Sequence, residues 1–556
     1  MRLAALLLLA LPLAAQDLHQ EITILDEDYN AFRRRYNLAS SEAREEALED
    51  VLERHAEAIG AVDFSALDQN GKVDAVLAKS WIDDQARRMD EERARLDEVG
   101  ELLPFAAELI ALYDAHRGRE ESDPKASAEA LDRARASVEE SREKWKDVEV
   151  DRVRAHRASR SLQDLRRALD SWYRYNAGYR PLFTWWNQKP WEQLSDALAG
   201  YDKFLREEKA GAEDPDVIIG DPVGREALIA DLEYQRIPYT PEELIAIAEK
   251  EFAWCDREML RASREMGFGD DWRAALERVK TLHVPPGEQP ALIIRLANEA
   301  VDFLETNELV SIPDYAKQTW RMRMMTPAEQ KVSPFFLGGE QIIISYPTDE
   351  MEHDQKMMSM RGNNIHFSRA TVHHELIPGH HLQQFHTRRY RPYRSLFSTP
   401  FWTEGWSLYW EMRLWDMGFA REPEDRVGFL FWRMHRCARI IFSLKFHLGE
   451  MAPQEAIDFL INRVGHEPST AEAEVRRSFL GTYPPLYQCA YMLGALQFRA
   501  LHEEVVASGK MSEREFHDRI LRLGRIPVEM VRATLLDLEL TRDYPTTWRF
   551  YGDPLP

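Results

Sequence analysis

The stretch Thr371-Val372-His373-His374-Glu375-Leu376-Ile377-Pro378-Gly379-His380-His381-Leu382-Gln383-Gln384-Phe385-His386 gathers five of the chain's 17 histidines into sixteen residues. Imidazoles beside a carboxylate at this density point to a bound metal, because zinc takes His nitrogen and Asp or Glu oxygen in a tetrahedral set. The usual spacing is His-Glu-x-x-His, since residues four apart stack on one helical face. Here the fourth residue after His374 is Pro378 and the fourth after His373 is Ile377, so the regular motif is absent. Pro378 lacks an amide proton and Gly379 tolerates unusual dihedrals, so the pair can bulge a helix locally. If two residues are taken up in that bulge, His380 arrives where a position-four histidine would stand. The pairs His373/His380 and His374/His381 share a face but stand about 10.5 Å apart along a helix axis. Zinc–nitrogen bonds of about 2.0–2.1 Å do not bridge that gap. His374 and His380 are therefore read as ligands of one zinc ion and Glu375 as the base. His381 is read as lying behind the ligands or on the substrate side, and His366 and His386 as structural.

A third ligand is expected on a following helix. Phe401-Trp402-Thr403-Glu404-Gly405-Trp406-Ser407-Leu408-Tyr409-Trp410-Glu411 supplies Glu404, with Thr403 as its cap. A lone Glu in a first helical turn is ordinarily there for the helix dipole. Following a His-Glu…His element by 24 residues reverses that weighting. Glu411 faces the same way two turns on, where it can orient or neutralise its neighbours.

Upstream, Ile342 to Tyr346, bounded by glycines and Pro347, is the strongest strand candidate, and Gly362 to Phe367 is expected as a second strand. Helices are expected from Thr240-Pro241-Glu242-Glu243, a capping sequence, to about Asn307, and again from the histidine stretch to Pro556. From Gln16 to about Ala210, apolar residues at helical spacing among many charges predict long solvated helices. The aromatic cluster Trp172, Tyr173, Tyr175, Tyr179, Phe183, Trp185, Trp186 and Trp191 is read as helix packing in preference to a cleft wall. Lys209 to Gly224, with its Gly, Pro and Asp residues, is the linker candidate. The expected organisation is a signal peptide over 1–15, a helical N-terminal region over 16–215 and a catalytic region over 216–556.

Arg2, an apolar run from Leu3 to Ala14 and the small residues before Gln16 have the form of a secretory signal, and the run falls short of the ~20 residues that span a bilayer. Gln16 at the following position, where a lipid-anchored protein would carry Cys, argues against lipidation. The expected location is periplasmic or extracellular, without stable membrane insertion after processing. A net charge of −23 excludes a partner bound through nucleic-acid phosphates. Three scattered cysteines, Cys255, Cys437 and Cys489, are too few and too far apart for a disulfide framework and are expected in the core.

His374-Glu375-x-x-Pro378-Gly379-His380-x-x-Gln383 followed by Glu404-Gly405-Trp406-x-x-Tyr409 resembles the bacterial family called domain of unknown function 885, which is placed with the zincin-like metallopeptidases. The Glu404-Gly405-Trp406 element is also similar to the Glu-Gly-Phe segment of gluzincin aminopeptidases, whose Glu binds zinc. Dipeptidyl-peptidase III, with one extra residue inside its His-Glu…His motif, offers an analogy for an enlarged spacing. Many gluzincins carry an acidic residue four after the glutamate ligand, where this chain has Leu408. The family's C-terminal Pro-Gly-Gln-x-x-x-Tyr-like stretch corresponds to Pro485-Leu486-Tyr487-Gln488-Cys489-Ala490-Tyr491, of which Tyr491 matches, and Arg476 and Arg477 fall near an expected Arg. The resemblance implies a mostly α-helical, zincin-like metallopeptidase with a small β element beside its active-site helix. It further implies an oxyanion-stabilising group for which Tyr491 is the candidate, with Tyr487 and Arg477 behind it.

Together these readings predict an exported hydrolase holding one zinc ion through His374, His380 and Glu404 and cleaving peptide bonds with Glu375 as general base. A metal-dependent amidase acting on a non-peptide or cell-wall amide uses the same ligands. A non-catalytic helical binding protein would have no need of Glu375.

Overall fold

The computed structural model of the chain describes residues 15–553 apart from 215, 331, 332, 334, 481 and 482, with side chains described from Leu18 onward. The expected signal peptide lies outside the described residues but for Ala15. The chain divides into two compact units, one ending at Asp221 and one beginning at Pro222.

The first unit is a set of helices, from Ala15–Arg35 through Glu42–Gly60, Gln69–Gly100, Ala106–Arg117, Pro124–Trp145 and Arg152–Asn176 to Pro181–Lys203. Their starts are written locally. Ser41, Asp68, Asp123 and Asp151 each accept a hydrogen bond from a backbone N–H two or three residues on, which satisfies donors that the helix itself leaves unpaired. The core between the later helices is Leu131, Leu162, Leu169, Trp172, Phe183 and Leu194 with their neighbours, and Tyr201 donates to the Leu102 carbonyl at 2.8 Å. The aromatic cluster divides in a way its sequence does not show. Trp172, Phe183 and Trp191 are buried, and Tyr173 stacks on Trp191, whereas Tyr175, Tyr179, Trp185 and Trp186 are exposed, so helix packing accounts for only half of them.

The second unit is also helical, with one two-stranded parallel sheet. Thr240 and Glu243 form the expected reciprocal cap at the start of the Pro241–Glu265 helix. Strand β1 (Arg321–Met324) pairs with β2 (Gln341–Ile344), Arg321 opposite Gln341 and Met324 opposite Ile344. The expected strand near Ile342 is thus present, ending two residues early, while β1 was not foreseen. The second expected strand, Gly362 to Phe367, is absent. Gly362 ends one helix, His353–Gly362, and Asn364 caps the next, Ile365–Glu375, by accepting from the N–H groups of His366 and Phe367. Gly-Asn-Asn here is punctuation between two helices, and its capping chemistry outweighs the β propensity of Ile365 and Phe367.

Three more helices complete the frame of interest: Pro400–Asp416, Pro423–His447 and Tyr487–His502. We call them the Glu404, arginine and tyrosine helices, and Ile365–Glu375 the His374 helix. The Glu404 and tyrosine helices cross at Gly405 and Gly494. A Cβ on Gly494 would stand 2.0 Å from the Phe401 carbonyl oxygen, and one on Gly405 would stand 2.5 Å from the Gly494 Cα. Only glycine at both positions permits this approach. The arginine helix crosses the His374 helix in similar fashion, with Gly428 against the His366 carbonyl. Cys255, Cys437 and Cys489 are buried and unpaired, and among the described residues no helix is long and apolar enough to cross a membrane.

Candidate metal centre

The His374 helix ends at Glu375 and a new helix, His380–Thr387, begins five residues later. The expected bulge is therefore a full break. Leu376 to Gly379 turn the chain, with a cis bond between Ile377 and Pro378. Gly379 N–H donates to the His373 carbonyl, and the N–H groups of His381 and Leu382 return to the Leu376 carbonyl. A Cβ on Gly379 would stand 1.7 Å from the His374 carbonyl oxygen, so the turn requires glycine. Trp406 of the Glu404 helix donates to the Pro378 carbonyl at 2.9 Å, which pins the turn from outside. Gln383 donates to the Thr403 carbonyl and to Ser407 Oγ, tying the second helix to the same neighbour.

The break brings His374 and His380 together, with ring centres 4.9 Å apart. Glu404 Oε2 lies 3.4 Å from His374 Nε2 and 3.2 Å from His380 Nε2. Ligand atoms held at about 2.0–2.1 Å by a tetrahedral ion stand about 3.3–3.4 Å from one another. That match, with Glu404 Oε2 buried and making no hydrogen bond, is how a ligand set for a small dication looks. Glu375 belongs to the same cluster: one atom each from His374, Glu375 and His380 fit within 4.8 Å. Two carboxylates thus compete for the role of third ligand. Glu404 Oε2 stands 3.4 and 3.2 Å from the two imidazoles, whereas Glu375 Oε2 stands 3.9 Å from His380 Nε2.

Glu404 is not placed by the helix dipole. Thr399, not Thr403, caps its helix and Pro400 is the first helical residue, so Glu404 lies beyond the first turn. Its other oxygen, Oε1, accepts from the Tyr487 hydroxyl at 2.5 Å. Glu411 takes the role that Leu408 cannot, accepting from His374 Nδ1 at 2.7 Å and so presenting Nε2 to the cluster. Ser407 Oγ stands 3.5 Å from His380 Nδ1.

The electrostatics also suit a cation. Glu375, Glu404 and Glu411 are all buried around two imidazoles. Burial opposes the charge on Glu404, yet the two histidines hold its carboxyl well below the usual carboxylate range. Burial likewise works against His374, but Glu404 and Glu411 outweigh it and hold the imidazole up at about 9. Burial, only partly offset by the histidines, raises the Glu375 carboxyl.

The cluster opens into a cavity of about 370 Å³ whose lining includes His374, Glu375, His380, Glu404, Tyr487 and Tyr491. Tyr491 stacks face to face over His374, with ring centres 6.2 Å apart. Gly338, just before β2, presses on Glu375: a Cβ there would stand 2.3 Å from Oε2, and Gly339 N–H donates to the Glu375 carbonyl. Arg477 lines the cavity as well. His381 does not: it bonds through Nε2 to the Ala316 carbonyl, because the new helix points it away from His380's side. His373 is buried against Phe419 and Phe429, with burial pushing it down to about 4, while His366 pairs with Asp425 and His386 with the Leu382 carbonyl. Arg436 and Arg439 of the arginine helix also line the cavity and were missed by sequence reading. Their signal was there to be read, as charged residues within a run that is otherwise apolar all round, from Val427 to Leu444.

Two solved structures share this fold. One, from Shewanella oneidensis, is described as "a putative lipoprotein of unknown function"; it is 16% identical, with a TM-score of 0.69, over 93% of this chain and 99% of its own. The other, from Colwellia psychrerythraea and described in similar words, is 15% identical with a TM-score of 0.59, over 94% and 99%. No curated protein matches the sequence. A family model matches residues 26–535, and the chain accordingly belongs to the family described as bacterial protein of unknown function (DUF885).

Proposed function

We propose that this protein is an exported, zincin-like, zinc-dependent hydrolase that cleaves peptide bonds, with His374, His380 and Glu404 as the metal ligands. The reading rests above all on the otherwise unbonded Glu404 Oε2, which stands 3.4 Å from His374 Nε2 and 3.2 Å from His380 Nε2 beside the buried Glu375 carboxylate. Zinc held there would supply Lewis acidity, lowering the pKa of a neighbouring water toward ~7. Glu375 takes the proton from the water that adds to the carbonyl carbon and hands it to the amine as the carbon–nitrogen bond breaks. Burial raises its carboxyl above the usual carboxylate range, which makes it a stronger proton acceptor. Tyr491, over His374 and lining the cavity, donates to the oxygen on which negative charge develops. Glu411 and Ser407 fix the two imidazoles, and Tyr487 fixes Glu404. The signal-like first fifteen residues support export, as do the lipoprotein descriptions of the two structural neighbours.

Metal analysis of the dialysed protein should find one zinc per chain, lost in the His374→Ala, Glu404→Ala double variant. Metal retained by that variant would refute the ligand set. A mixed short-peptide library read by mass spectrometry should show new termini with the unaltered protein and none with Glu375→Gln or chelated protein. Cleavage by Glu375→Gln at the unaltered rate would refute the mechanism. A zinc-loaded protein that leaves every peptide intact would redirect the assignment to a non-peptide amide or to a binding role.

A further inference from the structure

Four arginines of the second unit are buried near one another in sequence and space, and they are not equally satisfied. Arg433 donates to Glu251 at 2.5 Å and Arg439 to Glu474 at 2.7 Å. Arg436 and Arg477 form no hydrogen bond among the described residues: their nearest carboxylate oxygens are Glu411 Oε1 at 3.8 Å and Glu474 Oε2 at 3.9 Å. Glu411 Oε1 is committed to His374 and Glu474 Oε1 to Arg439, while Glu474 Oε2 makes no hydrogen bond and faces Arg477 from beyond hydrogen-bond reach. Arg436 is 4% exposed and Arg477 6%, and the Nε atom of each is buried without a partner. A buried guanidinium without an acceptor is costly, and the cost is tolerated where an anion completes the site.

Their position says where that anion belongs. Arg436, Arg439 and Arg477 all line the cavity that holds His374 and Glu375. Arg436 and Arg439 place their guanidinium carbons 4.9 and 4.4 Å from the centre of the Tyr491 ring, which itself lies over His374, and Arg477 lies 4.7 Å from the Tyr483 ring. His435 and His466 hydrogen-bond to each other at 2.9 Å, and burial holds His466 neutral, down to about 3. Burial and the adjoining Arg439 both press on the Arg436 charge. Guanidinium forks match planar carboxylates.

We propose that Arg436 and Arg477 form an anion site in this cavity that binds a carboxylate of the substrate, so that the preferred substrates are short peptides ending or carrying an acid close to the bond cleaved. This inference rests on the hydrolase reading above, and it concerns substrate class. Arg436 and Arg477 are substrate-positioning residues, with Arg439 held back by Glu474.

The test is a binding measurement that needs no turnover. Calorimetric titration of the zinc-loaded Glu375→Gln protein with acetyl-Ala-Ala should give at least ten-fold tighter binding than with the same peptide amidated at its C-terminus. Arg477→Gln and Arg436→Gln should each erase most of that difference, and Arg477→Lys should keep part of it. In turnover, the arginine variants should raise KM for the free acid by a larger factor than KM for the amide. Acetyl-Ala-Glu amide distinguishes the two sources of carboxylate: binding equal to the free acid assigns the site to acidic side chains, and weaker binding assigns it to the C-terminus. Equal or absent binding of acid and amide overturns the proposal, as does an acid preference that survives both Gln variants or inorganic phosphate displacing the peptide acid in preference to acetate. The acid–amide contrast is read with both arginines intact, so a variant that fails to fold does not spare the idea. Peptide cleavage indifferent to amidation would refute this inference and leave the hydrolase standing.

Discussion

The region up to Asp221 and the region from Pro222 are both helical, yet they handle charge in opposite ways. In the first, charged residues lie mainly on helix surfaces and pair with neighbours one turn away, as Asp50 with Arg54 and Arg135 with Glu139. Its few buried acids are answered at once: Asp84 by Arg87 and Arg88, Asp202 by Ser159 and Arg166. In the second, the arginine helix alone buries Arg433, His435, Arg436 and Arg439, and the His374 and Glu404 helices bury His373, His374, Glu375, Glu404 and Glu411. Exposed pairs contribute little and can be exchanged freely, whereas buried ionisable groups cost stability and persist where they do chemistry. The contrast separates a region whose charges are mainly solvated from one that buries many of its charges together.

The sharpest way to break that contrast is Glu375→Gln, which should lower peptide turnover by about 10²–10⁴-fold, the usual contribution of a positioned base, while circular dichroism and zinc content stay as they were. Next, Gly494→Ala should destabilise the second region by about 3 kcal/mol, the upper part of the range for overpacking, because the new methyl meets the Phe401 carbonyl and no flexible side chain. Denaturant melts followed by segment-resolved hydrogen exchange would show the loss there and not in the helices before Asp221.

A third test uses acid. Burial holds His466 and His517 down to about 3 in the folded chain, against about 6.5 when unfolded. The unfolded chain therefore binds more protons below pH 6.5, so this stabilisation is complete above that pH and drains away as the pH falls toward 3, at up to about 1.4 kcal/mol per group per pH unit. The fall in unfolding free energy from pH 6.5 to 5.5 should be larger for the unaltered protein than for a His466→Asn, His517→Asn variant; equal falls would mean that these imidazoles are already charged in the folded state.

Smaller still, Glu411→Leu should weaken zinc binding by about 10–100-fold, since it removes the acceptor that orients His374. At the bottom of the scale, Arg54→Ala should change stability by less than about 0.5 kcal/mol. A larger loss at Arg54 than at Glu411 in matched melts would reverse the distinction between the two regions.

What could be read from the sequence was local. The caps at Thr240 and Glu243, the β-branched run at Ile342 and the histidine density around His374 all have their causes within a few residues. Glu404 was reachable because its distance from His380 is short and its neighbours are distinctive. What could not be read depended on packing between distant segments. The direction of His381 follows from the helix restarting at His380, and the partner of His374 proved to be Glu411 only once two helices were set side by side. Arg436 and Arg439 were passed over, although they interrupt an apolar run, and their place became plain only with the helix carrying them buried on nearly every face. The aromatic residues from Trp172 to Trp191 illustrate the converse: hydrophobicity alone did not tell the buried Trp172 from the exposed Trp185.

At Gly405 and Gly494 backbone rests on backbone, and rods in such contact cannot slip past one another by degrees. A slide of one residue would bring Leu493 or Ala495, each with a Cβ, against the Phe401 carbonyl. Glu404 on one rod and Tyr487 on the other therefore travel as a single piece, and heat or denaturant must part them in one step. The bond between Glu404 and Tyr487 should therefore hold until the crossing fails, so on heating its loss should track the loss of helix instead of preceding it.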